Sequence, residues 1–381
     1  MTVAMQSLLS PQVLTDVISQ KAAASKWLLN TFGIGPGQSN EVYWGHGRYG
    51  AFNVYNNVRT VAKGRAPGTA AARSSLNPVG TVPFTYPRMH DSVQLPAEVV
   101  HNLGLITDPA MRDKAGADMI RRQTDTLGQK AANWRTAQLI GCLRDSLYFH
   151  YDGDSQYIDY TSTSGFQINF QMPAGNKTQL NMLGAGSIID ATWATSTTNI
   201  PKHLLAINAA FQKLNGGHLA AVICGYTVFD YIRKNDHVQE EHGTSRSPYL
   251  RFERLALEDK IGKTMLNVMV CELTSAPGVV FYVTDEGLDL GVEGSETFTK
   301  IVGDNNAIFV GFEPGKDKVI EFYQGSEPIA EYDGGPEEVK VGMAAWSVKR
   351  SNPTSTDMFV LDNGLCVNHI FDSVAYGTVL F

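Results

Sequence analysis

Between residues 108 and 147 the apolar positions recur at helical spacing, with Ile120, Leu127, Ala131, Trp134 and Cys142 on one narrow face. Arg121, Arg122, Asp125, Gln129 and Arg144 lie off that face, and no proline follows Pro109. Asp108 suits an N-cap, because its carboxylate can accept from the unpaired N–H groups of a first turn. Pro109 suits the first helical position, where a missing N–H does no harm. The pattern predicts one helix of about 60 Å at 1.5 Å per residue, where about 10–14 residues is usual. Gly116, Gly128 and Gly141 each weaken it by about 1 kcal/mol relative to alanine. A long, narrow-striped helix of this kind reads as a strut across which the rest of the chain, or other copies of it, lies. Two shorter helices broken near Gly128 are the alternative.

The patterns on either side differ. Residues 1–39 read as an arm, with one helix from Pro11 to about Leu29 ended by the glycine-rich stretch 33–40. Residues 40–92 alternate apolar and β-branched positions on both flanks of a small, polar middle, residues 64–78. This predicts a long two-stranded excursion holding little that could build a core, which therefore packs on something outside its own fold. Residues 148–172 read as a β-hairpin with turns at Asp152-Gly153-Asp154 and Ser164-Gly165, and residues 173–199 as a polar connector. From Ile200 the texture is α/β. A helix closed by Asn215-Gly216-Gly217, a buried strand near Val222, a helix over 226–234, and strands over 266–273 and 279–284 are expected. An acidic, strand-rich stretch follows over 285–340, and the last strands fall at 341–350 and 371–381.

Composition narrows the function. The chain has 381 residues, 43% of them hydrophobic, with a formal net charge of −7. That is enough for two or three domains, and the charge argues against a general nucleic-acid binder. The charge is unevenly placed: between Glu41 and Asp91 there are cations but no acids. Arg59, Lys63, Arg65 and Arg73 flank or form the tip of the excursion, and a basic arm docking on acidic surface is expected. Four scattered cysteines without a CxxC pair fit free thiols rather than a disulfide framework. The first residues lack the basic region of a signal peptide, and no apolar run is long enough to cross a membrane. A soluble protein, intracellular at synthesis, is the expectation.

Candidate chemistry is weak throughout. Gly262-Lys263-Thr264 resembles the end of a phosphate-binding loop, but Leu257 stands where the earlier glycine is required. His237 and His242 are spaced by five, which does not set both imidazoles on one helix face. Asp152, Asp154 and Asp159 echo a calcium loop without its glycine and its final glutamate. No nucleophile elbow is present, and His46, His90 and His101 read as structural. No catalytic residue, cofactor site or metal site is expected.

The order of parts is similar to that of tailed-phage major capsid proteins of the Hong Kong 97-type fold, in the lambda-like branch. The resemblance is carried by Asn40-Glu41-Val42-Tyr43, Gly64-Arg65-Ala66-Pro67-Gly68, Tyr86-Pro87-Arg88-Met89-His90 and Asp108-Pro109-Ala110-Met111-Arg112. It implies an α+β fold with an N-arm (1–39), an extended loop (40–92), and a peripheral domain with spine helix and β-hairpin (93–190). Residues 191–381 would be mainly an axial domain, with strands returning to the peripheral sheet. It also implies pentamers and hexamers forming an icosahedral head that encloses double-stranded DNA without reading its sequence. Partners would be a separate scaffolding protein, a portal and a decoration protein, with no membrane, in a virion assembled in the host cytoplasm. Intersubunit contacts are expected at Arg59, Lys63, Arg65, Arg73, Asp152 and Asp154. With Lys63 the only lysine in residues 40–90, covalent crosslinking is not expected. An encapsulin-like shell around protein cargo and an unrecognised α/β enzyme are the alternatives.

Overall fold

The computed structural model describes residues 9–43, 49–55, 80–96, 98, 105, 108–152, 155–161, 165–240, 268–273, 276–292, 294–329, 338–351 and 354–381. Helix α1 (Pro11–Ser25) carries proline at its start, and after an extended Lys26 the short α2 (Trp27–Phe32) closes on Gly33 at φ 68°. Strand β1 (Glu41–Tyr43) follows, then the antiparallel pair β2 (Tyr49–Val54) and β3 (Gly80–Thr85), and then β4 (Arg88–Pro96).

The long helix is α3 (Pro109–Arg144), continuous over 36 residues. Asp108 caps it, its carboxylate accepting from the Ala110 N–H at 2.9 Å. It stops short of the expected end, because Asp145 turns left-handed at φ 51° and Leu147 already belongs to the next strand. Gly128 is a crossing point rather than a break. A Cβ there would stand 2.9 Å from Lys21 Cβ and 3.2 Å from the Ile18 carbonyl oxygen, so α1 meets α3 where a side chain is missing.

After α3 come β5 (Leu147–Asp152), β6 (Ser155–Asp159) and β7 (Phe166–Ile168), with β5 central in a three-stranded sheet. The next elements are β8 (Lys177–Thr178), α4 (Ile200–Leu214), β9 (Ala221–Cys224), α5 (Tyr226–Lys234) and α6 (Asp236–Glu240). Strands β10 (Met269–Glu272), β11 (Val280–Val283), β12 (Gly287–Leu290), β13 (Thr297–Lys300) and β14 (Asn306–Val310) lead to β15 (Ile320–Gln324). The hairpin β16 (Ser326–Ile329) and β17 (Glu338–Val341) precedes β18 (Met343–Ser351), β19 (Thr354–Asn368) and β20 (Val374–Thr378).

Two sheets organise these elements. In the first, the opening part of β19 runs antiparallel to both β4 and β18, its last residues pair with β15, and β15 pairs in parallel with β1. The second runs β10-β11-β9-β14-β20-β8. One core gathers α1, α2, the base of the β2–β3 hairpin and the inner face of the first sheet around the C-terminal part of α3. The other lies between the second sheet and helices α4 and α5. A satellite of Trp346, Phe359 and Leu361 sits on the remaining face of the first sheet.

Four expectations from sequence are corrected. The narrow apolar stripe holds only for the first half of α3, since residues 135–143 are buried all round. The base of the excursion builds into the chain's own core, with Phe52, Val54, Val82 and Phe84 buried and Phe52 against Phe170. Residues 173–199 are not merely a connector, because Leu180, Ile189 and Trp193 are buried in the second core. Residues 11–32 are integral structure, with Leu14, Ile18 and Ala22 of α1 buried.

Helix α1 also covers the edge of β18. The Thr15 hydroxyl accepts from the Ala345 N–H at 2.9 Å and donates to its carbonyl at 3.3 Å, standing in for a neighbouring strand. Gly128→Leu should therefore unseat α1 and cost about 1–3 kcal/mol through overpacking. The expected signature is faster hydrogen exchange at the Ala345 amide with the β4–β19 ladder unchanged.

Candidate functional site

Among the described residues, the strongest concentration of buried charge is at Arg135, which is fully buried on α3. Its Nε and Nη2 donate to the two carboxylate oxygens of Asp362 on β19 at 2.6 and 2.9 Å. Nη1 donates to Glu41 Oε1 at 2.7 Å and to the Ile34 carbonyl at 3.3 Å. The guanidinium lies 4.1 Å from the centroid of the Phe322 ring on β15. Glu41 in turn accepts from the Gly37 N–H at 2.6 Å. One cation thus ties together α3, β19, β15 and the segment between α2 and β1. Burial opposes its charge, but Asp362 and Glu41 outweigh burial and push its pKa up. For Asp362, burial pushes the carboxyl up while Arg135 pulls it down. The bidentate geometry means the pair is ionised, because a neutral Asp362 would strand a buried guanidinium.

Smaller junctions fasten other elements. The Trp193 indole N–H donates to His203 Nδ1 at 3.1 Å, and His203 Nε2 faces Asp190 Oδ1 at 2.9 Å. With Nδ1 accepting, the network assigns the proton to Nε2, which donates to Asp190. Glu286 accepts from Lys26 Nζ at 2.7 Å and from the Trp27 indole at 2.8 Å, tying the start of α2 to the link between β11 and β12. Asp145, past the end of α3, accepts from the Phe170 N–H at 2.8 Å and from Lys177 Nζ at 2.7 Å.

None of these sets a nucleophile against a base at an open cleft. A cleft of about 430 Å³ is lined by Asn215, His218, Lys316, Lys318 and Ser373, and Lys316 is paired with Glu313. Asp159 accepts from the Thr161 N–H at 2.6 Å, which is turn chemistry. His90 stacks against Trp346 at 5.7 Å, on the satellite cluster. His237 lies in α6, whereas His46, His101, His242 and Gly262-Lys263-Thr264 lie outside the described residues. Among the described residues no three metal-binding side chains converge, and no helix is long and apolar enough to cross a membrane. All four cysteines are free and buried, and burial pushes the Cys271 thiol up to about 12.

Beside the cleft, Asp372 is only 6% exposed and its Oδ1 has no hydrogen-bond partner. Burial raises its pKa, only partly offset by its own backbone and Asn215. The native state therefore keeps this proton at pH values where the unfolded chain has lost it. The stability it contributes is fully present below the ordinary carboxylate value of about 4 and is lost as pH rises through the raised value. Asp372→Asn should remove that dependence. Thermal melts across this range are expected to show the wild-type Tm, relative to the variant, falling as pH rises.

No family model matches the sequence, and no curated protein matches it. The fold has counterparts among solved structures. A phage-related protein from Bordetella bronchiseptica RB50 superposes with TM-score 0.53 at 12% identity, over 95% of this chain and 96% of that one. A candidate capsid protein of a prophage in Escherichia coli CFT073 gives TM-score 0.55 at 12% identity, over 97% and 99%. The chain has the tailed-phage capsid protein fold. The capsid of Ralstonia phage GP4 is also similar, at 13% identity over 94% and 92%, with TM-score 0.47.

Within this capsid fold, the expected contact residues fall mostly beyond what is described. Arg59, Lys63, Arg65, Arg73 and Asp154 lie outside the described residues, and Asp152 ends β5 opposite Ser155 of β6. The Arg135–Asp362–Glu41 junction was not anticipated. Its one sequence signal is an arginine among Trp134, Thr136 and Ala137 in the helix, with its acidic partners 94 and 227 residues away.

Proposed function

We propose that the protein is a major capsid subunit that self-assembles into pentamers and hexamers of an icosahedral phage head enclosing double-stranded DNA. The observation that carries this reading is the superposition on the prophage capsid protein over nearly the full length of both chains. On this reading the chain divides in the Hong Kong 97 manner. Residues 1–39 serve as N-arm, 40–92 as extended loop, 93–190 as peripheral domain built on α3, and 191–381 mainly as axial domain. The internal junctions support the same reading, since they brace elements against one another and none is arranged for catalysis. A separate scaffolding protein, a portal and a decoration protein are the proposed partners, and the assembled virion is the proposed location.

Purified protein at high concentration, viewed by negative-stain microscopy and sedimented, should give closed shells. Without a scaffolding protein these should be few or irregular in size. Only monomers and small oligomers at every concentration, together with a saturable activity on a small molecule, would overturn the reading.

A further inference from the structure

We infer that Cys142 on α3 and Cys366 on β19 are a dithiol site, which a small disulfide such as oxidised glutathione converts into a bridge between the long helix and the long strand. The inference concerns the folded chain by itself and goes beyond the capsid reading without depending on it. Arg135, Gln138 and Cys142 stand at i, i+3 and i+7 on α3 and so share one face of the helix. Asp362, Gly364 and Cys366 alternate along β19 and so share one face of the strand. The two faces meet as a seam. It opens with the paired bonds from Arg135 to Asp362. Past the ends of the β4 and β18 ladders, the Gln138 side-chain carbonyl accepts from the Cys366 N–H at 3.1 Å. One turn further along α3, the Cys142 thiol is hydrogen-bonded to the Cys366 thiol. Both cysteines are shielded from solvent, at 1% and 0% exposure.

The chemistry follows from that placement. Burial pushes the Cys142 thiol well above its ordinary range, so the closed chain holds it as a neutral thiol, which is a poor nucleophile. Oxidation therefore proceeds through local opening of the seam, where a thiolate can form. That thiolate attacks the disulfide of glutathione, forming a mixed disulfide and releasing one glutathione thiolate. The second cysteine, once deprotonated, attacks the protein-side sulfur, forming the Cys142–Cys366 bond and releasing the second glutathione. The two thiol protons end on the two glutathiones, so the protein is oxidised by two electrons and the reagent is reduced by two. The bridge closes more than half of the chain into one loop, and chain entropy favours the folded state most for long loops. Cys224 and Cys271 in the second core make a contrast. They lie on β9 and β10 with β11 between them, where they stand opposite Val283 and Phe281. Two strand spacings put their backbones about 10 Å apart, beyond the Cα separation of about 7 Å that a disulfide can span. The free thiols of the structure are the form of a reducing compartment, and the bridge is the form of an oxidising one.

The test incubates full-length protein with oxidised glutathione, in buffer and at a denaturant concentration below the unfolding transition, which speeds local opening. Remaining thiols are then alkylated in strong denaturant, and peptides are mapped by mass spectrometry without reduction. Free thiols are expected to fall from four to two. A single crosslinked pair of peptides should contain Cys142 and Cys366, with Cys224 and Cys271 alkylated. The bridged form should unfold at a higher denaturant midpoint, and dithiothreitol should return the midpoint to its starting value. Cys142→Ala, which buries no new polar group, should lose both the crosslink and the shift. The wild-type measurement decides whether or not that variant folds. The inference is overturned if all four thiols survive under the opening condition, or if glutathione stays on either cysteine without the second bond closing. It is equally overturned if the bridge forms between other cysteines, or if the bridged form is no more stable than the reduced one. Because the unassembled chain suffices for every step, failure here leaves the capsid reading untouched.

Discussion

Replacing Arg135 with methionine is expected to destabilise the unassembled subunit by about 3–5 kcal/mol, the range for removing one partner of a buried ion pair. The size of the effect comes from what is left behind. Asp362 has no exposed surface, and Glu41 is also largely buried, so both carboxylates lose their cation where water cannot replace it. The Phe322 ring loses the guanidinium stacked on it. Lysine should recover little, because a single ammonium cannot make the paired bonds to Asp362 while also reaching Glu41. Removing both charges, as Arg135→Met with Asp362→Leu, should be milder than the arginine change alone, since the stranded carboxylate on β19 is gone. Denaturant unfolding of the three variants measures this. Equal losses for the single and double changes would show that the junction stabilises by packing rather than by charge.

Trp193→Ala is expected to cost about 3–5 kcal/mol, as for other large-to-small changes of buried aromatics. Trp193 is fully buried against Phe309 on β14, with ring centroids 6.2 Å apart. Truncation opens a cavity in the second core and leaves His203 Nδ1 without its donor. The loss should be regional. Hydrogen exchange should quicken across β9, β14 and α4, while α3 and β19, anchored in the other core, keep their protection. Trp193→Phe separates the two contributions, because it retains most of the volume and loses only the indole N–H. Uniform acceleration over the whole chain would mean that the two cores unfold as one unit.

Local chemistry decided which parts of this structure could be read from sequence. The α3 helix was legible because Asp108 and Pro109 mark its start without ambiguity. Its end was less so, since a left-handed Asp145 resembles an ordinary helical aspartate until its carboxylate is seen holding Phe170 and Lys177. The helices and short strands of the second core were legible for a similar reason, with glycine turns bounding clear apolar runs such as 220–224. The longest strand, β19, was missed. Its middle reads Asp362-Asn363-Gly364, the composition of a tight hairpin turn. Two tertiary facts override that signal: Asp362 is neutralised by Arg135, and Gly364 leaves room for the Phe322 ring, whose nearest atom would lie 2.2 Å from an added Cβ. The buried base of the excursion was misjudged because its partners, Phe170 and His369, are remote in sequence. The candidate contact surface was legible only as a distribution of charge.

Strand β19 has a mechanical consequence. Its 15 residues make a continuous tie of about 50 Å at 3.3 Å per residue, flanked by β4 and β18 together over 354–363 and then by β15 over 364–368. Ladder hydrogen bonds in antiparallel sheet run across the strand direction, so tension along β19 loads the bonds of each clamped stretch in shear, together, rather than peeling them one after another. The buried ion pair at Asp362 lies close to where β18 hands over to β15, the point at which such a tie would otherwise be weakest. Arg135 is the rivet that transfers a load along this strand to the long helix.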